Sequence, residues 1–223
     1  MHTANVRMPV PEGDSIKTQK HYGRAFYPRF VKRFLDILSA LIGLVFFGIS
    51  FIIIAIMIRL DDKGPVFYNA PRIGQHGRPF TMYKYRTMYV DAPDIKEADG
   101  STYNAPDDPR LTKVGAFLRR TSMDELPQVL NVLKGEMSII GPRPDLAEEV
   151  ALYDGEESLK LALKPGISGY AQVYGRNAIP WHERLALDVT YVKTQSFVLD
   201  VKVFFKTFAV VFTQEGVYGN DED

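Results

Sequence analysis

The chain has 223 residues with 27 basic and 27 acidic side chains, so its formal net charge is zero and it carries no global basic signature of nucleic-acid binding. Cysteine is absent, which excludes disulfides and thiolate metal sites. A chain of this length holds one domain of ordinary size, or one domain together with a membrane anchor.

The first part of the chain pairs a basic arm with an apolar segment. Residues 1–32 mix Pro, Gly, Lys and His without periodicity and predict a basic N-terminal arm. Residues 37–58 then form a run of 22 residues without a charge. A straight helix of that length measures about 33 Å, close to the ~30 Å of a bilayer core. We therefore predict a membrane helix over residues 33–60.

The charges on both sides of this helix bear on its topology. Residues 1–32 and residues 59–90 each contain six Lys or Arg against two acids. Basic residues prefer the cytoplasmic side, so a spanning helix satisfies one flank, whereas a hairpin that bends midway satisfies both. Gly48 and Ser50 are candidate bend points. The flanks favour re-entry, although glycine also occurs in straight spans.

Beyond the apolar run, the pattern predicts a compact α+β domain over residues 61–213 and an acidic tail over 214–223. Short β-prone runs within 64–88 predict a β-hairpin with its turn around 74–77. Residues 91–109 are rich in Asp, Pro, Gly and Ala and predict a long loop.

Helical spacing returns in the middle of this domain. The stretches VGAFLRRT (114–121) and LPQVLNVLK (126–134) carry apolar residues at helical intervals, and Gly135 provides a stop signal. SIIGPRP (138–144) predicts a short strand that runs into a rigid turn. The last apolar stretch, 197–213, contains three charges, which fits either a helix lying at the membrane interface or an ordinary core helix.

The adjacent acids Asp124 and Glu125 carry the main functional signal. Together with Ser122 they match a capping box, in which Ser122 would start a helix. Pro127 weakens this interpretation, because its missing N–H is harmless only within the first three helical positions. The predicted N-cap therefore moves to between Asp124 and Leu126. Both carboxylates then lie at a helix mouth, where the dipole favours anions.

Basic residues occur around this acid pair. Arg119 and Arg120 lie one turn upstream, and Arg143 stands between two prolines. Others fall in neighbouring predicted loops: Lys84, Arg86, Arg110, Lys164 and Arg176. Guanidinium groups bind phosphate oxygens, and a carboxylate nucleophile among cations suits phosphoryl transfer. A second acid beside it suits Mg²⁺, which takes one or two carboxylates together with substrate phosphates. A merely solvated helix face is the alternative.

Two further positions are candidates for a role at the site. Arg176 and Asn177 lie in a Gly-rich loop near Trp181, where a substrate sugar or base could be contacted. Asp188 either assists the site or forms a helix ion pair with a neighbour such as Arg184.

Five collinear stretches, covering about residues 30–212, resemble the bacterial sugar transferases known as small monotopic phosphoglycosyl transferases. They are KRFLDILSALIGLVFF, MYKYRTM, LRRTSMDELPQVLNVLKGEMSIIGPRP, LKPGISGYAQVYGRN and LALDVTYVK. The resemblance implies transfer of a sugar-1-phosphate from a UDP-sugar to a polyprenyl phosphate, typically undecaprenyl phosphate, with release of UMP. It places this reaction at the cytoplasmic face of the bacterial inner membrane, at the start of exopolysaccharide or glycoconjugate assembly.

The resemblance also implies roles for individual residues. Asp124 corresponds to the nucleophile, which forms a sugar-phosphoryl-aspartate in a ping-pong scheme, and Glu125 to the residue associated with Mg²⁺. Arg119 and Arg143 correspond to arginines expected on phosphates. The shared motifs leave the transferred sugar open. They also leave open two other functions, a catalytically idle membrane scaffold and a membrane-anchored phosphohydrolase that uses water as the acceptor.

The implied fold is α+β: a re-entrant membrane helix hairpin, interfacial amphipathic helices and a compact cytoplasmic domain with a small β-hairpin. The chain departs from the family pattern inside the apolar run. Well-known members break the re-entrant helix at a Ser-Pro pair, and the collinear positions here are Gly48 and Ile49.

Overall fold

The computed structural model describes residues 27–95, 103, 108–175 and 179–213. The predicted basic arm, except for its last residues, and the acidic tail lie outside these residues, as do most of the predicted loop and the pair Arg176 and Asn177.

A π-helical turn, Tyr27–Val31, leads into helix α1, Lys32–Asp62, which is 31 residues long. The predicted apolar segment is therefore confirmed as a helix with nearly the predicted bounds. The predicted hairpin is not confirmed, because α1 continues without interruption through Gly48 and Ser50. The Ser50 hydroxyl donates to the carbonyl oxygens of Phe46 and Phe47, at 2.8 and 3.3 Å. Such back-bonding is associated with gentle bending of helices.

Both ends of α1 bind the same globular part of the chain. Near its start, the Asp36 carboxylate accepts hydrogen bonds from the Ser138 hydroxyl at 2.9 Å and from the Ile139 amide at 3.0 Å. Near its end, Asp61 accepts from the Val114 amide at 2.9 Å. In the middle of α1, one face packs on the globular part through Phe47, Phe51 and Ile54. The other face exposes large apolar side chains, among them Val45, Phe46, Ile49, Ile52 and Ile53.

The predicted hairpin in the globular part is confirmed. Strands β1, Phe67–Ile73, and β2, Pro79–Tyr85, pair antiparallel across a 3-10 turn at Gln75–Gly77. The Ile73 amide donates to the Asp145 carbonyl at 3.0 Å, which ties the end of β1 to the segment after the Gly-Pro-Arg-Pro turn.

The next helices differ from the sequence-based prediction at one boundary. Helix α2, Lys113–Arg120, begins where predicted, with the Thr112 hydroxyl accepting from the Gly115 amide. A 3-10 turn, Met123–Gln128, contains both acids and leads into α3, Val129–Lys134. The predicted N-cap between residues 124 and 126 was wrong, because the shorter 3-10 turn accommodates Pro127 and delays the α-helix.

The capping box is likewise absent. Ser122 has φ of 56° in the left-handed region, and its side chain makes no capping hydrogen bond. The helix stop was predicted correctly, since Gly135 follows α3 with φ of 86°.

A second small sheet consists of β3, Ser138–Ile140, paired in parallel with β4, Gly166–Ser168. Strand β3 was predicted, whereas β4 was not, because β4 has only three residues, begins at Gly166 and is followed by Gly169. Between them lie the one-turn helix α4, Ala147–Val150, and a 3-10 segment, Gly155–Ala162.

Three helices complete the fold: α5, Tyr170–Tyr174, α6, Trp181–Thr194, and α7, Phe197–Thr213. Helix α7 packs Val203 and Val210 inward and exposes Phe205 and Phe208. It therefore combines the two predicted alternatives, with a core face and an exposed apolar face. Asp200 ties α7 to the start of α1 and to α6, because it accepts hydrogen bonds from Lys32 at 2.7 Å and from the Tyr27 and Tyr191 hydroxyls at 2.6 Å.

Candidate active site

The acid pair lies where the hairpin meets the 3-10 turn. Asp124 is 6 % exposed and Glu125 is half-buried. The Glu125 amide donates to the Ser122 carbonyl at 3.3 Å, so the left-handed Ser122 closes the turn that carries both acids. Carboxylates buried to this extent require a cation or hydrogen bonds to stay charged.

Lys84 on β2 supplies that cation. Its ammonium nitrogen lies 2.7 Å from Oε1 of Glu125 and 3.6 Å from Oδ2 of Asp124. The adjacent residue fixes its position: the Tyr83 amide donates to Oδ1 of Asn131 at 3.0 Å, and Nδ2 of Asn131 donates to the Thr81 carbonyl at 2.7 Å. The fully buried Asn131 side chain thus binds the hairpin to α3 and holds Lys84 against the acids.

The two carboxyl groups have different electrostatic environments. Burial raises the pKa of Asp124 above its usual value, the neighbouring Glu125 carboxylate adds to this shift, and Lys84 and Arg119 oppose it. Burial also acts to raise the pKa of Glu125, but Lys84 and Arg143 outweigh it and hold that pKa below its usual value. Two adjacent carboxyls whose pKa values are pushed apart are typical of sites in which each has its own chemical role.

Arg119, at the end of α2, lies on the Asp124 side of the pair. Its Nε donates to the Thr87 hydroxyl at 3.3 Å, and its Nη1 is 3.8 Å from Oδ2 of Asp108. Asp108 also pairs with Arg110 at 2.8 Å. Asp108 was not predicted as a site residue, because the proline-containing segment before it gives no indication that its carboxylate bridges two arginines.

Arg143 lies on the Glu125 side and is exposed. Its backbone amide donates to Oδ2 of Asp188 at 3.3 Å, and Asp188 is 3.1 Å from the Lys160 ammonium. Lys160 also pairs with Asp145, just beyond the turn. Asp188 therefore fixes the backbone of the Gly-Pro-Arg-Pro turn. Its ion-pair partner Lys160 comes from the 3-10 segment rather than from the helix that carries Asp188.

A second arginine, Arg72 on β1, lies close to Arg143 and was not singled out from the sequence. Burial lowers the pKa of Arg72, and the positive charge of Arg143 lowers it further. The only hydrogen bond recorded for its guanidinium among the described residues goes to the carbonyl of Pro71 at 2.8 Å. The signal that could have identified it is its position one residue before the end of β1, the strand end that is tied to Asp145 after the Pro-Arg-Pro turn.

Two other predicted cations lie elsewhere. Arg86 is buried in an ion pair with Asp62 and donates to the carbonyls of Pro65 at 2.6 Å and Met88 at 2.9 Å. We infer that it anchors the end of α1. Lys164 lies beside Arg33, at the far end of α3 from the acids.

The donor set of the acid pair suits a hard cation. Among the described residues no group of three or more His, Asp or Glu side chains could hold a metal ion by itself. Asp124 and Glu125 nevertheless offer two adjacent carboxylates, the number that Mg²⁺ takes when substrate phosphates complete its coordination. The residues present therefore fit a Mg²⁺ ion shared with a phosphate ligand.

Taken together, a buried carboxylate of raised pKa lies between cations that could neutralise phosphate oxygens: Lys84 and Arg119 near Asp124, and Arg143 near Glu125. This arrangement can stabilise a phosphoryl group at Asp124. The model of the family described as bacterial sugar transferase matches residues 27–214. The chain belongs to this family.

Named relatives agree with this membership. The chain is 42 % identical over 187 residues to the uncharacterized sugar transferase EpsL of Bacillus subtilis, covering 84 % of this chain and 90 % of that protein. It is 39 % identical over 198 residues to the exopolysaccharide production protein ExoY of Rhizobium meliloti, covering 84 % and 88 % of the two chains. The sugar transferase fold thus accounts for most of both proteins.

Other family members are longer. The undecaprenyl-phosphate galactose phosphotransferase of Salmonella typhimurium is 37 % identical over 201 residues, covering 85 % of this chain but 42 % of that protein. The galactosyl transferase CpsE of Streptococcus agalactiae is 42 % identical over 221 residues, with 48 % of its length matched. The chain therefore spans about half the length of these relatives.

Proposed function

We propose that this sugar transferase moves a sugar-1-phosphate from a UDP-sugar to a polyprenyl phosphate, with undecaprenyl phosphate as the expected acceptor, and releases UMP. The observation that carries the proposal is the buried Asp124 carboxylate, with Lys84 at 3.6 Å and Glu125 beside it. Relatives named as undecaprenyl-phosphate galactose phosphotransferase and UDP-galactose-lipid carrier transferase support this choice of donor and acceptor classes. The expected role is to initiate exopolysaccharide or glycoconjugate assembly.

In the first half-reaction, an oxygen of the Asp124 carboxylate attacks the sugar-bearing phosphorus of the UDP-sugar. The bond between that phosphorus and the bridging oxygen breaks, and UMP leaves with the electron pair. In the second half-reaction, a phosphate oxygen of the polyprenyl phosphate attacks the same phosphorus. This step breaks the bond to Asp124 and yields the polyprenyl diphosphate sugar with a free carboxylate.

The surrounding residues position the phosphates and neutralise their charge. Lys84 and Arg119 act on Asp124 and are suited to the phosphoryl group being transferred. Arg143 acts on Glu125, and Arg72 lies close to Arg143. These two arginines are suited to the second phosphate, that of the leaving nucleotide or of the lipid. Mg²⁺, when bound at Glu125 and Asp124, would supply further neutralisation of phosphate charge. Arg176 and Asn177 stay candidates for contact with the sugar or uridine.

The release of UMP tests this function. Purified full-length protein in detergent, with Mg²⁺ and polyprenyl phosphate, is expected to release UMP from at least one member of a panel of UDP-sugars. Folded protein that releases no UMP from any donor would point to the idle scaffold instead. Continuous breakdown of the UDP-sugar without lipid acceptor, at the rate seen with it, would favour the phosphohydrolase.

We also propose that α1 enters the bilayer from the cytoplasmic side and that both of its ends lie on that side. The support is that polar residues at both ends of α1, Asp36 and Asp61, bind the same domain, while one face of the apolar middle is exposed. A straight helix of 31 residues measures about 46 Å, which exceeds the bilayer core. A transverse span would carry its two ends to opposite faces. The exposed apolar face of α7 fits the interface of the same leaflet.

Topology can be measured directly on the cysteine-free chain. Single cysteines at Lys20 and Lys63 are both expected to react with a membrane-impermeant maleimide only when the cytoplasmic face is accessible. The expectation follows from the basic flanks and from the anchoring of both ends of α1. Reaction of the two cysteines from opposite faces would establish a transmembrane span.

A further inference from the structure

Two cationic side chains meet at the C-terminal end of α3, away from the acid pair. Arg33, in the first turn of α1, donates to the carbonyls of Val132 at 2.7 Å and Leu133 at 3.1 Å. Its Nη2 and the Nζ of Lys164 each lie 3.6 Å from the position that a Cβ atom on Gly135 would occupy. Gly135 has no side chain, so no Cβ atom occupies the point that is in van der Waals reach of both cations.

The ammonium group of Lys164 has no direct partner at this place among the described residues. The residue is half-buried, and its ammonium forms no hydrogen bond or ion pair with any residue that the structure describes. Burial lowers its pKa, and the positive charge of Arg33 lowers it further. An anion beside both groups would relieve this repulsion.

The carboxylates in the neighbourhood are engaged elsewhere. Asp36 accepts from Ser138 at 2.9 Å and from the Ile139 amide at 3.0 Å. Glu136 accepts from Nδ2 of Asn131 at 2.8 Å. The Asp36 carboxylate still acts on Lys164 and raises its pKa, but burial and Arg33 outweigh it and leave that pKa lowered.

The location of this pair is the boundary between the globular part and the apolar surface. Phe30 and Phe34 are 56 % and 66 % exposed, and Leu38 follows one turn later on α1. With α1 in the bilayer, these side chains enter the acyl region, and Arg33 lies at the level of the lipid headgroups.

We propose that Arg33 and Lys164 bind the phosphate of an anionic phospholipid headgroup in the space over Gly135. The site is separate from the catalytic centre, because the 3-10 turn and α3 place Gly135 about 17 Å along the helical axis from the acids. The inference rests on the proposed membrane insertion of α1. Its role is to fix the depth and orientation of the domain on a negatively charged leaflet.

The test measures lipid binding and requires no transfer activity. Full-length protein in neutral detergent is titrated with dioctanoyl phosphatidylglycerol, with dioctanoyl phosphatidylcholine or with inorganic phosphate, and the melting temperature is recorded. Phosphatidylglycerol is expected to raise it more than the other two. In Lys164→Gln its apparent affinity should fall about fivefold, as expected for loss of one interfacial charge. The matched variant Lys113→Gln removes an exposed lysine at the start of α2 and should bind like the wild type.

Several outcomes would overturn the assignment. An equal loss in Lys164→Gln and Lys113→Gln would indicate general surface electrostatics, and an equal response to inorganic phosphate would indicate a free-anion site. Flotation with phosphatidylcholine vesicles tests the membrane insertion by itself. Failure to associate with these neutral vesicles would reject the insertion of α1, whereas association with no effect of Lys164→Gln in the titration would reject the headgroup site alone.

Discussion

Asp124→Asn is expected to abolish sugar-phosphate transfer, with a fall in kcat of about 10⁴-fold or more. The amide cannot form the acyl phosphate, whereas its size and its burial match those of the carboxylate. Two measurements check this result: UMP release, and the intact mass of the protein after incubation with the UDP-sugar alone. Wild-type protein should gain the mass of one sugar-phosphate, and the variant should not.

The matched control for this prediction is Asp91→Asn. Asp91 is exposed and has φ of 63°, a conformation that asparagine also adopts, so the substitution should leave fold and rate unchanged. Near-normal turnover of Asp124→Asn would show that another group attacks the phosphorus. A wild-type protein that turns over without ever gaining the sugar-phosphate mass would instead favour direct transfer to the lipid.

Lys84→Met is expected to lower kcat/KM at neutral pH by about 10²-fold and to move the acidic limb of its pH profile to higher pH. The attacking carboxylate must be ionised, so the rate falls as the pH drops through the pKa of Asp124. Burial already raises that pKa and Lys84 opposes the shift, so removal of the lysine raises it further. The acidic limb is therefore expected at higher pH in Lys84→Met than in the wild type.

Two variants separate the charge of Lys84 from its shape. Lys84→Arg retains a cation near Asp124 and should return the acidic limb close to the wild-type position, even if kcat stays reduced. Lys113→Met, an exposed lysine, should change neither quantity. An acidic limb that does not move in Lys84→Met would mean that Lys84 does not control the ionisation of Asp124.

Local patterns in the sequence predicted most helices and strands but not the tertiary contacts between them. The hairpin around Gly74–Gly77 and the stop at Gly135 depend on turn residues, which act locally, and both are confirmed. The start of α3 was missed because proline excludes an α-helical position without specifying that a 3-10 turn replaces it. Strand β4 was missed because a three-residue strand carries too little periodicity.

The candidate site was predictable only in part, because its assembly depends on contacts between residues that are far apart in the sequence. The acid pair was identifiable from its arginine-rich surroundings, and Lys84 was one of several cations among which the sequence could not choose. Its selection depends on the β1–β2 register and on Asn131, whose hydrogen bonds reach Tyr83 and Thr81 across 48 and 50 positions of the chain. Arg86 was also a predicted site cation, but it pairs with Asp62, which lies 24 residues away, and so anchors α1 instead. Arg176 and Asn177 lie outside the described residues.

The amide of Asn131 has a consequence for solubility and folding. It accepts from the Tyr83 amide and donates to the Thr81 carbonyl, so it mimics one residue of a neighbouring strand along the free side of β2. An edge saturated in this way cannot recruit a strand from another chain at that point, which protects a two-stranded sheet from edge-to-edge aggregation. A slip of β2 by one residue would also break both bonds and turn Lys84 to the opposite face. The buried Asn131 side chain thus protects the hairpin against edge-to-edge aggregation and against a shift of strand register.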